Sequence, residues 1–347
     1  MGNVPGDKSE GSRKAGYKSR LFPLIALVFA AIALLGFSYL KLSFHKSGAN
    51  EDSKIVFITP GLGLNQAASL LHDEGVISNA AVFKINARFF EDKAVIKAGE
   101  YEIPAGASMA EVYALLQSGE VILHRFTVTE GQTVGEVVDV LNDDQRFSGP
   151  LDVQSIEEGS LLPETYFFSR GDARQALIKR MQNAMDDALA NAWAQRQDDL
   201  PLGTPRDALI LASIIEKETG LAEERGLVAG VFINRLRRNI RLQSDPTVVY
   251  GISKGRSDGP ITVRDLDSDT PYNTYRIRGL PIGPIANPGV ESLMAAVMPA
   301  ETDAFYFVAD GTGGHAFART LSEHNANVRN WRLIEAKRRR QEKEAAQ

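Results

Sequence analysis

The chain has 347 residues, enough for one large domain or for two to three smaller domains that each bury a core. Its formal net charge is -5, whereas nucleic-acid-binding proteins usually carry an excess of basic residues. It contains no cysteine, which excludes disulfides, thiolate zinc sites and cysteine nucleophiles. Any catalysis must therefore use other side chains, and we expect no nucleic-acid partner.

An uncharged apolar run covers residues 21–40, the length that a helix needs to cross a membrane. A cleaved signal peptide is the alternative, but signal peptides have shorter apolar cores and end in small residues, whereas residues 36–44 are bulky. More lysines and arginines precede the run than closely follow it, so the positive-inside rule predicts a cytoplasmic N-terminus. We therefore expect a disordered cytoplasmic tail over residues 1–20, one transmembrane helix, and an exported remainder.

Three segments after the apolar run resemble one another. Each combines a short alternating strand, a glycine turn and a helix with apolar residues at helical spacing, and they begin at Val56, Tyr101 and Phe126. The turn glycines are unequally spaced, which argues against a solenoid. The pattern predicts one or two small α+β modules over residues 50–145, which act either as scaffold or in holding glycan.

The most informative predicted helix begins near Thr204 and ends before Gly220. Thr204 provides a capping hydroxyl, Pro205 suits the first helical position, and Asp207 faces the free amide groups of the first turn. Helical spacing gathers one broad apolar stripe from Ile210, Leu211, Ile214 and Ile215. Glu218 falls within this stripe, so its carboxyl is expected to be partly buried, whereas Glu216 is expected on the opposite, solvated side.

Burial of Glu218 has a chemical consequence. Removing a carboxyl from water disfavours its charged form and raises its pKa, so the group can hold a proton near neutral pH. A protonated carboxyl is what a general acid needs to cleave a glycosidic bond. The alternative is a structural ion pair with Arg235 or Arg237, and the helical pattern alone leaves both interpretations open.

Further polar residues follow this helix. Asn234 interrupts an apolar helix, where a lone Asn most often bonds to a nearby loop. Asp245 precedes a proline, which favours a turn, although it could instead be the second acid of a two-carboxylate glycosidase. Tyr272 and Asn273 lie in a loop rich in proline and glycine, whose apolar faces and polar edges suit a saccharide groove.

Two histidines lie near the C-terminal end, in a predicted hairpin with a glycine turn over residues 310–314 and in the segment after it. His315 and His324 lack the short helical spacing and the third ligand of a zinc motif. A serine hydrolase is also disfavoured, because the chain has no G-x-S-x-G motif. We therefore predict neither a metal nor another cofactor.

Several motifs occur together in a fixed order: LLPETY, ASIIEKET, VFINRL, LQSDPTVVYG, YNTY, GLPIGPIANPG and YFVADGTGGHAFARTLSEHN. In this combination the sequence resembles the YceG-like family of endolytic murein transglycosylases. The resemblance covers nearly all of the chain after the apolar run. It implies an α+β protein with a single transmembrane helix, LysM-like modules over residues 50–145, a catalytic domain over residues 146–335 and a charged tail over residues 336–347.

The resemblance also implies a function and a site. A lytic transglycosylase cleaves peptidoglycan glycan strands with one glutamate, which corresponds here to Glu218. The positions expected to line the substrate site are Asn234, Gln243, Asp245, Tyr250, Tyr272 and Asn273. The implied setting is the periplasmic face of the inner membrane, beside peptidoglycan synthases (penicillin-binding proteins). A catalytically silent wall anchor and a muramidase that uses Glu218 with Asp245 are the alternatives.

Overall fold

The computed structural model describes residues 2, 15–48, 50–89, 96–256, 259 and 261–345. Both helices and strands occur along these residues, which confirms the mixed α and β content. The helices are α1 (Ala15–His45), α2 (Leu64–Asp73), α3 (Ala80–Phe89), α4 (Met109–Ser118), α5 (Val134–Asp143), α6 (Arg174–Ala194), α7 (Pro205–Glu218), α8 (Ala222–Arg237), α9 (Asp245–Ser253), α10 (Val263–Leu266), α11 (Val290–Val297) and α12 (Leu321–Ala345). The strands are β1 (Lys54–Ile58), β2 (Gly99–Ile103), β3 (Leu123–Thr127), β4 (Thr165–Ser169), β5 (Tyr306–Ala309) and β6 (His315–Ala318).

Helix α1 contains the predicted membrane span. Its stretch Phe22–His45 has a mean hydropathy of 2.3 and is long and apolar enough to cross a membrane. The helix begins at Ala15, so residues 15–20 of the predicted disordered tail are helical. Most of the remaining tail lies outside the described residues.

The chain forms two compact units, and the first comprises Met1–Leu123 with Ser169–Gly171. Strands β1 and β2 pair antiparallel, with Val56 opposite Tyr101. Helices α2, α3 and α4 cover this pair, and the C-terminal turn of α1 reaches the same core through the buried ring of Phe44. Helix α1 thus continues directly into the packing of the first unit.

All three predicted strand-turn-helix segments are present. Their turn glycines Gly61, Gly106 and Gly131 all have positive φ, the conformation that glycine adopts without strain. The chain divides after Leu123 rather than after residue 145, because the third segment, β3 with α5, packs in the second unit. There Val137 of α5 shares a core with apolar residues of β4 and α6.

The second unit comprises His124–Phe168 and Asp172–Gln347. Its central helix α7 is almost wholly buried over residues 208–215, and α6, α8, α9 and α11 pack against it. The predicted cap is confirmed, since the Thr204 hydroxyl accepts from the amide of Asp207 and the Asp207 carboxylate accepts from the amide of Thr204. The predicted hairpin is confirmed too, with β5 antiparallel to β6 and Ala309 opposite His315.

Candidate active site

A pocket of about 470 Å³ opens at the C-terminal end of α7 in the second unit. Glu218, the last residue of α7, lines this pocket. The rest of its lining comes from α8, the start of α9 and the segment before it, the loop between α10 and α11, the β5–β6 hairpin and the start of α12: Arg235, Leu242, Gln243, Asp245, Tyr275, Tyr306, Phe307, Val308, Ala309, His315, Leu321 and His324. One partly buried carboxyl is therefore surrounded by aromatic rings and charged groups.

Burial raises the pKa of the Glu218 carboxyl to about 7. The Ser244 hydroxyl opposes this rise, the negative charge of Asp245 adds to it, and His315 and Arg235 oppose it more weakly. At neutral pH the carboxyl is therefore divided between its protonated and ionised forms. A group in this state can give up a proton and take one back within a single reaction.

Ser244 caps α9 and lies beside Glu218. Its side-chain oxygen is buried and makes no hydrogen bond that meets normal distance and angle limits, so its effect on Glu218 comes from proximity. Its backbone is firmly held, because its amide donates to the Thr274 hydroxyl at 2.9 Å and its carbonyl accepts from the Thr247 hydroxyl at 2.6 Å. The backbone thus holds the hydroxyl beside Glu218, where it favours the charged form of the carboxyl.

Among the described residues, Glu218 makes no ion pair with Arg235 or Arg237. The alternative that Glu218 serves only in a structural ion pair is therefore without support. Arg235 instead donates to three backbone carbonyls, from Nε to Phe305 at 2.6 Å and from Nη1 to Leu242 at 2.7 Å and Arg241 at 3.3 Å. These bonds join α8 to the residue before β5 and to the segment before α9. Arg235 therefore holds two walls of the pocket together.

The expectation that Glu216 is solvated is wrong. Its side chain is only 4% exposed, and it lies 3.6 Å from Nη2 of Arg225 on the following helix. Its Oε2 also accepts from the amide of Gly289 at 2.8 Å. Helical periodicity assigned Glu216 to the face away from the apolar stripe, but α8 and the loop before α11 cover that face and supply its partners.

Two of the six predicted substrate residues line the Glu218 pocket. Gln243 does so with a left-handed backbone, at φ 52°. Asp245 also lines it, and its Oδ1 accepts a 2.6 Å hydrogen bond from the Tyr275 hydroxyl. Asp245 is the first residue of α9 and does not begin a turn, since proline is well tolerated in the first turn of a helix. Tyr275 ends the YNTY motif, but nothing in the sequence pattern distinguishes it from the other residues of that motif.

Asn234 and Asn273 are absent from the pocket lining. Asn234 donates to the carbonyls of Thr302 at 2.8 Å and Ala304 at 3.1 Å, which fixes the segment leading into β5. Asn273 is fully buried and its side-chain oxygen accepts from the amide of Tyr275 at 3.0 Å. Both asparagines thus shape the backbone that carries pocket residues.

Tyr250 and Tyr272 belong to a separate cluster around Glu158. Their rings meet edge to face with centroids 4.9 Å apart, and the Tyr250 hydroxyl donates to Glu158 at 2.9 Å. Burial raises the pKa of Glu158, against the hydrogen bonds that it accepts. A groove of about 500 Å³ next to this cluster is lined in part by Glu158, Arg206 and Lys179. The predicted residues thus divide between two places on the second unit.

The two histidines considered as metal ligands both line the Glu218 pocket. His315 contacts the carboxylate of Glu224, and His324 stacks on Tyr306 with ring centroids 5.2 Å apart. Burial, and then the charge of Arg235, lower the pKa of His324. Across the part of the chain that the structure describes, no three His, Asp or Glu side chains are placed to hold a metal ion.

Comparison with known proteins gives consistent matches. A sequence model of the YceG-like family matches residues 56–330. An endolytic murein transglycosylase of Bacillus subtilis (strain 168) is 29% identical over 309 residues, covering 79% of this chain and 84% of the relative. One from Streptococcus pneumoniae serotype 2 (strain D39 / NCTC 7466) is 26% identical over 362 residues, covering 89% of this chain and 65% of the relative. The crystal structure of a putative YceG-like protein from Listeria monocytogenes is 30% identical with a TM-score of 0.48, covering 80% of this chain and 99% of that one.

Proposed function

We propose, since this chain belongs to the YceG-like family, that it is an endolytic peptidoglycan lytic transglycosylase. Such an enzyme is a carbon-oxygen lyase that cleaves the β-1,4 bond between N-acetylmuramic acid and N-acetylglucosamine within nascent strands, which would terminate strand elongation. One observation carries the proposal: the Glu218 carboxyl lines an open pocket, and the pKa of this carboxyl is about 7. A carboxyl in this state fits a reaction that needs one group to act first as acid and then as base.

In the proposed reaction Glu218 donates its proton to the glycosidic oxygen, and the bond from that oxygen to C1 of the muramic sugar breaks. Positive charge develops at C1, as in other glycosidases. The C6 hydroxyl of the same sugar then attacks C1 and returns its proton to Glu218, which closes a 1,6-anhydro ring. Because the nucleophile is part of the substrate, the reaction consumes no water and needs no second carboxylate.

The surrounding residues support a division of roles. Gln243 and Asp245 line the pocket beside Glu218, so we assign them to substrate contact. Asn234 and Asn273 bond to backbone at the pocket wall and are assigned to shaping it. We assign Tyr250 and Tyr272, in the separate cluster, to a more distant part of the glycan strand. An endolytic enzyme binds sugars on both sides of the cleaved bond, so contacts away from Glu218 are expected.

A muramidase that uses two acids is the second candidate, and one observation favours it. Asp245 lines the same pocket as Glu218 and its charge contributes to the raised pKa of Glu218. In an inverting enzyme of this kind the second carboxylate would activate water, and the product would carry a reducing end. A silent wall anchor is the remaining alternative, and it would release no product.

The setting of the reaction belongs to the same proposal. Helix α1 would anchor the chain in the inner membrane with the N-terminus in the cytoplasm, and the chain after α1 would lie in the periplasm. The first unit would act as a LysM-like module that holds glycan, and peptidoglycan synthases would supply the nascent strands. Protease treatment of spheroplasts tests the orientation: degradation of the chain after α1 is expected, and complete protection would refute a periplasmic location.

Digestion of purified sacculi tests the enzymatic proposal. The full chain in detergent should release muropeptides with 1,6-anhydro ends from within strands, identified by mass spectrometry. Glu218→Gln should remove nearly all release, whereas Glu223→Gln, which changes an exposed glutamate on α8, should keep it. Reducing-end products would favour the muramidase, and binding without release would favour the anchor.

A further inference from the structure

His315 lies in the Glu218 pocket, although the single-glutamate mechanism gives it no role. It is the first residue of β6 and pairs across the hairpin with Ala309 of β5. Its side chain is 16% exposed and that of Glu224, in the first turn of α8, is 13% exposed. A largely buried histidine next to a largely buried carboxylate is a pair whose geometry can be fixed by packing.

Glu224 holds His315 by two bonds. Its Oε1 accepts from the backbone amide of His315 at 2.8 Å, and its Oε2 lies 2.7 Å from Nδ1 of the imidazole. A neutral imidazole has one N–H donor and one acceptor nitrogen. Because the carboxylate accepts at Nδ1, the neutral ring carries its acceptor at Nε2. That nitrogen makes no hydrogen bond to any other group that the structure describes.

Neighbouring residues of the hairpin and of α7 hold the pair of His315 and Glu224 in place. Gly314 precedes His315, and a Cβ at Gly314 would lie 2.5 Å from Oε1 of Glu224, so a larger residue there would displace the carboxylate from its present position. Asp310 closes the hairpin turn by accepting from the amide of Thr312 at 2.7 Å. The Thr219 hydroxyl, directly after Glu218, donates to Oε2 of Glu224 at 3.4 Å. The pair is therefore tied both to the hairpin and to the end of α7.

We propose that His315 is a second catalytic residue of the Glu218 pocket, oriented by Glu224 so that its Nε2 accepts a hydrogen bond from a sugar beside the cleaved bond. The donor on the substrate would be a hydroxyl or an acetamido N–H, the two donor groups of the glycan. This inference rests on the proposed function. Glu224 is then a positioning residue, in the way that a carboxylate fixes the tautomer and direction of a catalytic or metal-bound histidine.

Two exchanges at His315 test this role. His315→Asn keeps a polar atom near the Nδ1 position and removes the group at Nε2, whereas His315→Gln can place its amide oxygen near Nε2. We expect kcat/KM to fall about 100-fold in His315→Asn and at most about tenfold in His315→Gln. Equal losses in both variants, or a His315→Asn enzyme within twofold of the wild type, would overturn the proposal.

Glu224→Gln tests the positioning role. It keeps the size of the side chain but replaces one acceptor oxygen with an amide donor, so it cannot accept both bonds from His315. We expect kcat/KM to fall about tenfold, the lower end of the effect of removing an orienting partner. Glu223→Gln, at an exposed position outside the pocket, is the matched control and should leave the rate unchanged. A rate in Glu224→Gln equal to that of Glu223→Gln would contradict the role.

A binding measurement separates this inference from the proposed function. In a Glu218→Gln background, the Kd for a purified uncrosslinked glycan fragment is measured by calorimetry with and without His315→Asn. We expect Kd to rise about tenfold when His315 is replaced, with an unchanged melting temperature. An unchanged Kd would refute the contact even if the wild type releases anhydro products, and a raised Kd would support it even if the products have reducing ends.

Discussion

The hydroxyl of Tyr275 donates a 2.6 Å hydrogen bond to Oδ1 of Asp245, and both side chains line the pocket of Glu218. Burial raises the pKa of Tyr275, and the hydrogen bond to Asp245 raises it further, so the phenol stays a donor. The pocket therefore contains two carboxyls in different surroundings. Asp245 has a permanent donor, whereas Glu218 has a pKa near 7 and lies beside the Ser244 hydroxyl, which lowers that pKa against the larger effect of burial.

Replacing Asp245 with Asn should move the pH dependence of cleavage to lower pH. After burial and the Ser244 hydroxyl, the Asp245 charge is the next influence on Glu218, and it raises the pKa because two like charges repel. Asn removes that charge and keeps an oxygen that can accept from Tyr275. As pH rises, the acid form of Glu218 would be lost at a lower pH than in the wild type. The alkaline limb of the plot of kcat/KM against pH should therefore move to lower pH. Complete loss of activity at every pH would instead indicate that Asp245 acts in the chemistry.

Ser244→Ala should move the alkaline limb of the plot of kcat/KM against pH to higher pH. The Ser244 hydroxyl lowers the pKa of Glu218 against the larger effect of burial, so its removal lets the pKa rise. The exchange removes no hydrogen bond of normal geometry, since the buried hydroxyl makes none. The backbone bonds of Ser244 also remain, so the melting temperature should change little. A limb at the wild-type position, or at lower pH, would show that the hydroxyl does not act on Glu218.

Glu218→Gln should stabilise the protein, and the gain should depend on pH. The folded-state pKa of Glu218 is raised from 4.5 to about 7, so the folded chain binds more protons than the unfolded chain between these values. Stability is therefore lost as pH rises from about 4.5 to about 7. At about 1.36 kcal/mol per pKa unit, the ionisable side chain costs about 3 kcal/mol at pH 8 and about 1 kcal/mol at pH 5.

The measurement is the free energy of unfolding of wild type and Glu218→Gln in urea at pH 5 and pH 8. Gln cannot ionise, so the variant should gain more at pH 8 than at pH 5. The exposed exchange Glu223→Gln provides the control and should show no such difference. A gain that is equal at both pH values would mean that burial of an ionisable group is not its cause.

The sequence predicted the centre of the site better than its walls. The cap at Thr204 and the apolar stripe were local patterns, and they located Glu218 at the end of a buried helix. The pocket around it depends on contacts between distant segments, such as the hydrogen bond from Tyr275 to Asp245. No periodicity encodes such contacts, so the sequence gives Tyr275 no separate role and suggests for His315 only a metal site or a serine hydrolase, both of which it disfavours.

The burial of Glu216 could not be predicted from the sequence either. A helical pattern separates an apolar stripe from the remaining faces, but it does not say whether another element covers those faces. Here Arg225 of α8, itself a charged residue, covers Glu216. A charged residue next to lysine in the sequence was therefore predicted to be solvated, although in the fold it is one of the most buried acids of the site region.

Replacing Arg225 with Met should strongly destabilise the second unit. The Arg225 side chain is 9% exposed and its Nη2 lies 3.6 Å from Glu216, whose side chain is 4% exposed. The same guanidinium pairs with the more exposed Glu130 at 3.2 Å and Glu291 at 2.5 Å. Met would leave the buried carboxylate of Glu216 without a counter-charge, and breaking a buried pair from one side costs about 3–5 kcal/mol.

Urea unfolding of a double-mutant cycle checks this cost. Adding Glu216→Gln to Arg225→Met removes the buried charge that has lost its partner. Gln can still accept a hydrogen bond from the amide of Gly289. The double variant should therefore be more stable than Arg225→Met alone. The exposed pair of Arg206 with Glu157, with side chains 56% and 75% exposed, provides the control. Arg206→Met should cost less than about 1 kcal/mol, because solvent screens an exposed pair. Similar costs for Arg225→Met and Arg206→Met would refute the idea that Arg225 neutralises a buried charge beside the C-terminal end of α7.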